Sequence, residues 1–305
     1  MIFGLSDPIL GIILATISAF AWAIQYLCIR VGTDDGRVLD AVLVTIVCNV
    51  VILVPLVVFF YPNWYAGLFT PVSIASFAAA GLAGTLLARL LMYKSIEAIG
   101  ASRTSPIISA NVFFATVLAV VFLDEALTAL HFAGIVCIVG GVAVISWETA
   151  SASEPDQSLR ELGLSLLLPV TAAALVGIEP IFVSLGLAEG TPAIPGVTVM
   201  AIAGGIGFVG YLAWYQVLSQ VSLRSGSTGW YVGAGVSSTV GLVAYFAALE
   251  VAPVVVVVPI LQTTPLLVVV LSALFLPSQL ERVTATVVTA ASVVVIGAAL
   301  VSLSG

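Results

Sequence analysis

Glu179 is an acid set inside an apolar run, with Pro180 directly after it. A carboxylate in hydrocarbon is costly, so by default it marks a proton relay or a contact with a positively charged group. About six residues separate it from the end of that run, which puts it roughly 9 Å below the end at 1.5 Å per residue. The competing reading is a side chain that reaches the interface or sits in a mouth. Other polar and aromatic side chains also fall well inside apolar runs: Trp22, Gln25, Tyr26, Asn49, Asn111, Tyr211, Trp214, Tyr245, Gln262, Thr263 and Thr264. Such side chains either line a pocket or bond neighbouring helices to one another. Glu97 and Glu250 each close a run. They act as gates at two mouths, Glu97 with Lys94 or Arg103 nearby, or they support the helix that follows through its dipole. Arg89 snorkels to the interface or meets a solute. His131 begins a run and reads as interfacial.

Bond-making chemistry is not visible. Asp34, Asp35 and Asp40 are the one acidic cluster, and they lack the partner motif of a prenyl or phosphatidyl transferase. Cys28, Cys48 and Cys137 lie in apolar runs at no metal-ligand spacing and read as small buried residues. The single lysine, Lys94, stands at the end of a run, so no mid-span lysine is available for a retinal Schiff base. No phosphate-cradling loop, selectivity-filter sequence or ring of charges is present. The expectation is a protein with no catalytic residue, no metal and no cofactor.

The elements that must position these residues follow from composition. Of 305 residues 61% are hydrophobic and only 8% charged, and mean hydropathy is +1.26. A soluble domain is roughly 45–50% apolar and about a quarter charged, so the solvent here is lipid. A net charge of −7 excludes nucleic acid as a partner, since that needs a basic footprint. Runs long enough to cross about 30 Å of hydrocarbon fall at 8–30, 39–60, 72–93, 104–123, 128–147, 162–185, 194–216, 228–248, 252–276 and 281–303. The first lacks a basic leader and reads as a helix that stays. Trp64, Tyr65, Trp147 and Trp230 stand near run ends, where amphipathic rings favour the interface.

A polar stretch at 148–161 divides ten spans into two units, 1–150 and 151–305. Shifting the first unit by 153 residues brings Glu97 onto Glu250, Pro106 onto Pro259, Ile107 onto Ile260 and Phe122-Leu123 onto Phe275-Leu276. After a three-residue insertion, Glu125 to Thr128 meets Glu281 to Thr284, and Gly141 meets Gly297. Asn111 and Thr264 are equivalents, five residues beyond the paired prolines. Those prolines remove backbone bonds and kink their helices, or serve packing alone. The ninth span, with Pro253, Pro259 and Pro265, is the least able to stay straight. A unit of five spans is odd, so its copy enters from the opposite face. All eight cations agree: Arg30, Arg37, Arg89, Lys94, Arg103, Arg160, Arg224 and Arg282 cluster at odd-numbered connections. The positive-inside rule puts those connections in the cytoplasm and both termini outside. Arg89 and Glu179 then lie toward opposite leaflets, and no direct pair between them is expected.

The order Tyr93 to Ala98, Ser105-Pro106-Ile107, Phe122 to Thr128, Gly134 and Gly140-Gly141-Val142 resembles the EamA-domain pattern of the drug/metabolite transporter superfamily. The second unit repeats it as Tyr245 to Glu250, Pro259-Ile260, Phe275-Leu276 and Glu281 to Thr284. It departs where Pro277-Ser278 replace the acid pair, and its last span carries one of the glycines. The resemblance implies an all-α integral membrane protein and a secondary transporter of small metabolites or drugs, often an exporter. Its partners are then membrane lipid and a small solute, and its place the cell membrane. Inverted repeats put the solute site near the midplane between the units. A lipid or amphiphile flippase on the same scaffold is the rival reading.

Overall fold

The computed structural model describes residues 7–32, 36–61, 67–88, 91, 108, 111–124, 126–151, 167–215, 226–275 and 284–302. Among them all regular structure is helical. The helices are α1 (Asp7–Gly32), α2 (Val38–Phe60), α3 (Pro71–Ala80), α4 (Asn111–Phe122), α5 (Ala129–Ser151), α6 (Leu167–Ala188), α7 (Ala193–Trp214), α8 (Thr228–Val251), α9 (Val254–Leu261), α10 (Thr264–Phe275) and α11 (Ala285–Ser302). α3 runs on without a break as a π-helix over Gly81–Ala88. Among the described residues six helices are long and apolar enough to cross a membrane: α1, α2, α3 with its π stretch, α6, α7 and α8. The outer surface of the described helices is greasy, with Val51, Phe59, Phe122, Ile206, Leu274 and Phe275 exposed. Contiguous exposed apolar surface on this scale would be insoluble, and lipid is the solvent that suits it. This is a multi-pass membrane protein.

Two departures from the sequence expectation concern helix form. The ninth span, expected at 252–276, is two helices, α9 and α10, with Gln262 and Thr263 in a turn between them. The third span is α-helical only to Ala80 and π-helical beyond, although nothing in its composition distinguishes the two forms.

Helix starts are set by side chains. Thr70 Oγ1 accepts from Ser73 N at 3.0 Å while Thr70 N donates to Ser73 Oγ at 3.1 Å, a reciprocal cap with Pro71 at the first helical position. At α5, His131 N donates to Thr128 Oγ1 and Thr128 N to His131 Nδ1.

The core centres on α9, whose eight residues are all buried, as expected of a helix that is apolar all round. α1 packs on α8, α9 and α10; α6 packs on α3, its π stretch and α4; α2 faces α7; α5 faces α11. Small residues let these backbones approach. In the α5–α11 seam, a Cβ on Gly134 or Gly297 would stand 2.7 Å from the carbonyl oxygen of the other.

Hydrogen bonds between connections join ends of like parity. Tyr231 OH, opening α8, donates to Gly32 O at 3.0 Å and Arg37 O at 3.3 Å, at the end of α1 and start of α2. Thr191 Oγ1 donates to Leu68 O at 2.8 Å, and Thr70 Oγ1 to Glu189 Oε2 at 2.7 Å, between the α2–α3 and α6–α7 connections.

Candidate functional site

Pro259 lies in the last turn of α9, and the chain leaves the helix three residues later. The junction is closed by short-range bonds: Gln262 N donates to Pro259 O at 3.1 Å and Thr263 N to Ile260 O at 3.0 Å. Freed carbonyls are met by hydroxyls, Thr263 Oγ1 to Ile260 O at 2.7 Å and Thr264 Oγ1 to Leu261 O at 2.6 Å. This is how an interrupted helix survives where no water is available. The break also frees the Gln262 side chain, whose Nε2 donates to Asn111 Oδ1 of α4 at 3.1 Å. Asn111 Nδ2 in turn donates to Ile108 O at 2.8 Å. Thr264 Oγ1 lies 3.5 Å from Ala19 O of α1.

On α1, Trp22 follows Ala19 by three residues, and its ring lies over Gly241 of α8, where a Cβ would stand 2.6 Å from the indole Nε1. Ser18 Oγ fixes the same crossing by donating to Gly241 O at 2.8 Å. One turn along α8 stands Tyr245, 3% exposed, its ring centroid 5.6 Å from that of Trp22. The Glu179 carboxylate occupies the space above Gly84 in the π stretch, where any Cβ would overlap it. Two residues before Glu179, Gly177 lets α6 touch α4 at the backbone of Asn111. Trp22 and Tyr245 therefore pair where α1 crosses α8, Asn111 and Gln262 pair where α4 meets the α9–α10 junction, Thr264 reaches α1 at Ala19, and Glu179 sits on the π stretch two residues past the α6–α4 contact.

Glu179 is deeper than the sequence suggested. α6 continues to Ala188, nine residues past the acid, which is about 13 Å at 1.5 Å per residue and close to the middle of a ~30 Å slab.

Other candidates lie elsewhere. Asn49 meets Thr239 at 2.9 Å across the α2–α8 contact; with its amide nitrogen turned inward it also reaches Thr45 O and Gly235 O at 3.2 Å. That is interhelical bonding. Trp214 ends α7 with 83% of its surface exposed, apart from the central group, and Tyr211 packs on Phe208 and Tyr215. Gln25 is half-buried three residues beyond Trp22. Glu250 is exposed at the end of α8. Near it, the Tyr61 phenol is pushed above its ordinary range, by burial first and by the Glu250 charge second. His131 is buried, with Nδ1 2.9 Å from Thr128 Oγ1, in a capping role. Arg89, Glu97 and Pro106, and the side chain of Tyr26, lie outside the described residues. Gly84, Gly241 and Ser18 had no signal in the sequence, because their roles depend on which helix lies opposite. No group of three His, Cys, Asp or Glu that could hold a metal ion occurs among the described residues.

A model of the EamA-like transporter family matches residues 9–147 and again residues 163–303. The chain belongs to the EamA-like transporter family. This EamA-like protein is thus a membrane transporter of the drug/metabolite type, and the double match spans nearly all of it. A crystal structure of a protein 12% identical to it superposes with a TM-score of 0.78 over 96% of each chain, a likeness of fold alone. No curated protein matches the EamA-like chain.

Proposed function

We propose that the protein is a secondary active carrier that moves a small metabolite or drug-like solute across the cell membrane by alternating access. In this reading, residues 1–150 and 151–305 are two inverted five-helix units, with the odd-numbered connections in the cytoplasm. The packing pattern supports the inversion. Exchanging each span for the one five further on turns α1 on α8 into α6 on α3, and α1 on α9–α10 into α6 on α4. It leaves α2 on α7 and α5 on α11 unchanged.

The observation that carries the function is the interrupted ninth span, whose Gln262 meets α4 at Asn111 and whose Thr264 meets α1 at Ala19, three residues before Trp22. Broken helices at the midplane, with polar side chains gathered around the break, are the architecture of solute sites in inverted-repeat carriers. Glu179 is the coupling group in this scheme, taking a proton when the solute leaves.

The flippase reading needs a polar lateral path for a headgroup. The groove of about 820 Å³ on the outer face of α1 and α8 is apolar. Its hydroxyls are committed to helix carbonyls, Thr16 Oγ1 to Ile12 O at 2.8 Å and Ser237 Oγ to Ala21 O at 2.6 Å. Counterflow of labelled amino acids, nucleobases and cationic drugs in proteoliposomes, with and without a pH gradient, tests the carrier. Movement of labelled lipid in the same vesicles, with no solute exchange, would replace it with the flippase.

A further inference from the structure

We infer that His131 is an acid-sensitive catch on the start of α5: neutral, it holds the first turn closed with Thr128, and protonated it lets that turn go. The inference goes beyond the carrier reading and does not depend on it. Thr128 precedes α5 directly and His131 is the third residue of the helix. The two form a reciprocal cap of the kind that threonine and glutamine build at these positions. His131 N donates to Thr128 Oγ1 at 3.2 Å, and Thr128 N donates to His131 Nδ1 at 3.3 Å. Thr128 Oγ1 lies 2.9 Å from the same ring nitrogen. A ring nitrogen that accepts carries no proton, so the neutral ring has its proton on Nε2. The next proton can go only to Nδ1, onto the lone pair that holds the cap. Nδ1 then becomes a donor facing the Thr128 N–H, which is left without an acceptor. Protonation and the full cap exclude one another.

The surroundings give an imidazolium nothing in exchange. His131 is 3% exposed, and its Nε2 is buried with no hydrogen-bond partner among the described residues. The helices packed against α5 are α4, α9 and α11, and none of them carries a titratable or charged side chain. On α5 itself Cys137 and Glu148 follow, about 9 Å and about 26 Å further along the axis at 1.5 Å per residue. Asp124, in the connection before α5, is exposed. A charge at His131 is therefore desolvated and unpaired while the turn stays closed, and opening the turn gives it water.

Its position gives the release a consequence. Gly134, one turn on and on the same face, is where α5 meets the backbone of Gly297 and Val301 in the α11 seam. The matching cap of α3 cannot respond in this way, because Thr70 is paired there with Ser73, a hydroxyl that does not titrate. On the two-unit reading the residue equivalent to His131 is Val287, so one unit alone carries the catch.

The chain has one histidine, so its ring gives the only imidazole signal. The test is nitrogen-15 histidine NMR of the full-length protein in nanodiscs at about pH 8 and about pH 5, which bracket the charge change of an imidazole. Hydrogen exchange of the Thr128 and His131 amides is followed in the same samples and corrected for its intrinsic pH dependence. At the higher pH the proton should sit on Nε2 alone. At the lower pH both nitrogens should be protonated, and the two amides should exchange about tenfold faster, as loss of one net hydrogen bond implies. H131Q keeps a side-chain acceptor at the third position and should hold the same protection at both pH values. A neutral ring with its proton on Nδ1 overturns the inference, as does a ring still neutral at the lower pH. So does a charged ring with unchanged amide protection, or an H131Q that loses protection as the wild type does. If H131Q does not fold, the wild-type spectra and exchange decide alone.

Discussion

Replacing Gly84 by alanine tests the seat of Glu179 without touching the acid. The new methyl would overlap the carboxylate oxygen and lie 2.6 Å from the carboxyl carbon, against 3.4 Å or more in ordinary contact. The carboxylate is the far end of a flexible side chain, so its nearer oxygen retreats by about 1.7 Å to reach ordinary contact and the helices stay where they are. At an effective dielectric of about 20, unit charges ~4 Å apart attract by about 4.2 kcal/mol and charges ~5.7 Å apart by about 2.9 kcal/mol. The difference, about 1.3 kcal/mol, is roughly a ninefold loss in the hold of that carboxylate on a positive charge. Stability should move the other way, since exchanging glycine for alanine inside a helix gains about 0.5–1 kcal/mol. The assay is counterflow in proteoliposomes with and without a pH gradient, beside a thermal melt of the same preparation. A weaker response to the gradient with an unchanged or raised melting temperature is the expected pair. A wild-type response in a well-folded G84A would mean that the carboxylate above Gly84 is not the coupling group.

Neighbouring glycines in α5 should behave oppositely. A Cβ on Gly141 meets Ala290 O at 2.7 Å and Val294 Cγ2 at 2.5 Å, whereas one on Gly140 meets nothing within 4 Å. G141A should therefore cost about 1–3 kcal/mol of stability and G140A none, read as melting temperatures in nanodiscs. Thr264→Val removes the hydroxyl that satisfies Leu261 O at the helix break, and should cost about 1–3 kcal/mol for an unsatisfied buried acceptor; a melt unchanged from wild type would count against that role. Cysteines placed at Gly36 and Gly226 should react with an impermeant reagent from one side of the membrane, and cysteines at Gly67 and Gly190 from the other. Opposite labelling of the first pair would break the inverted arrangement. In E250Q the Tyr61 phenol should ionise at lower pH than in the wild type but still above its ordinary range, because burial is the larger cause and remains; fluorotyrosine NMR at position 61 reads this.

How far the sequence carried differs between features for physical reasons. The long helices were legible because hydrocarbon demands unbroken apolar runs, and α2, α7 and α8 lie within three residues of their expected limits. The interruption at Gln262 was foreshadowed by three prolines in one span. The cations set the odd-numbered connections apart from the even ones, and the bonds from Tyr231 to Gly32 O and from Thr191 to Leu68 O join connections of like parity. Which way a side chain points was not legible. A helix that is apolar all round has no polar face to orient it, so Trp214 and Trp22 look alike in sequence, yet one is exposed and the other lies over Gly241. The π stretch was silent because α- and π-helices draw on the same residues, and the depth of Glu179 was underestimated because α6 ends at Ala188 and not near residue 185.

On the two-unit reading, the chemistry of the centre comes from where the copies have diverged and not from what they share. The glycine seam of α5 and α11 belongs to the shared frame, and a pocket lined by shared residues alone would present the same surface from either side. An inverted pair of units swaps roles when the carrier turns over, so identical walls would make the inward-open and outward-open states equivalent for the solute. An indole on one unit, Trp22 over Gly241, and a carboxylate on the other, Glu179 over Gly84, remove that equivalence. Affinity then differs between the two open states, and the solute shifts their populations by that difference and no more. Such asymmetry tunes the concentration at which each side loads; it does not by itself drive net movement, which needs a second, coupled species. On the carrier reading Glu179 is the group that takes the proton, so E179Q should abolish the response of counterflow to a pH gradient, and an unchanged response would remove Glu179 from that role.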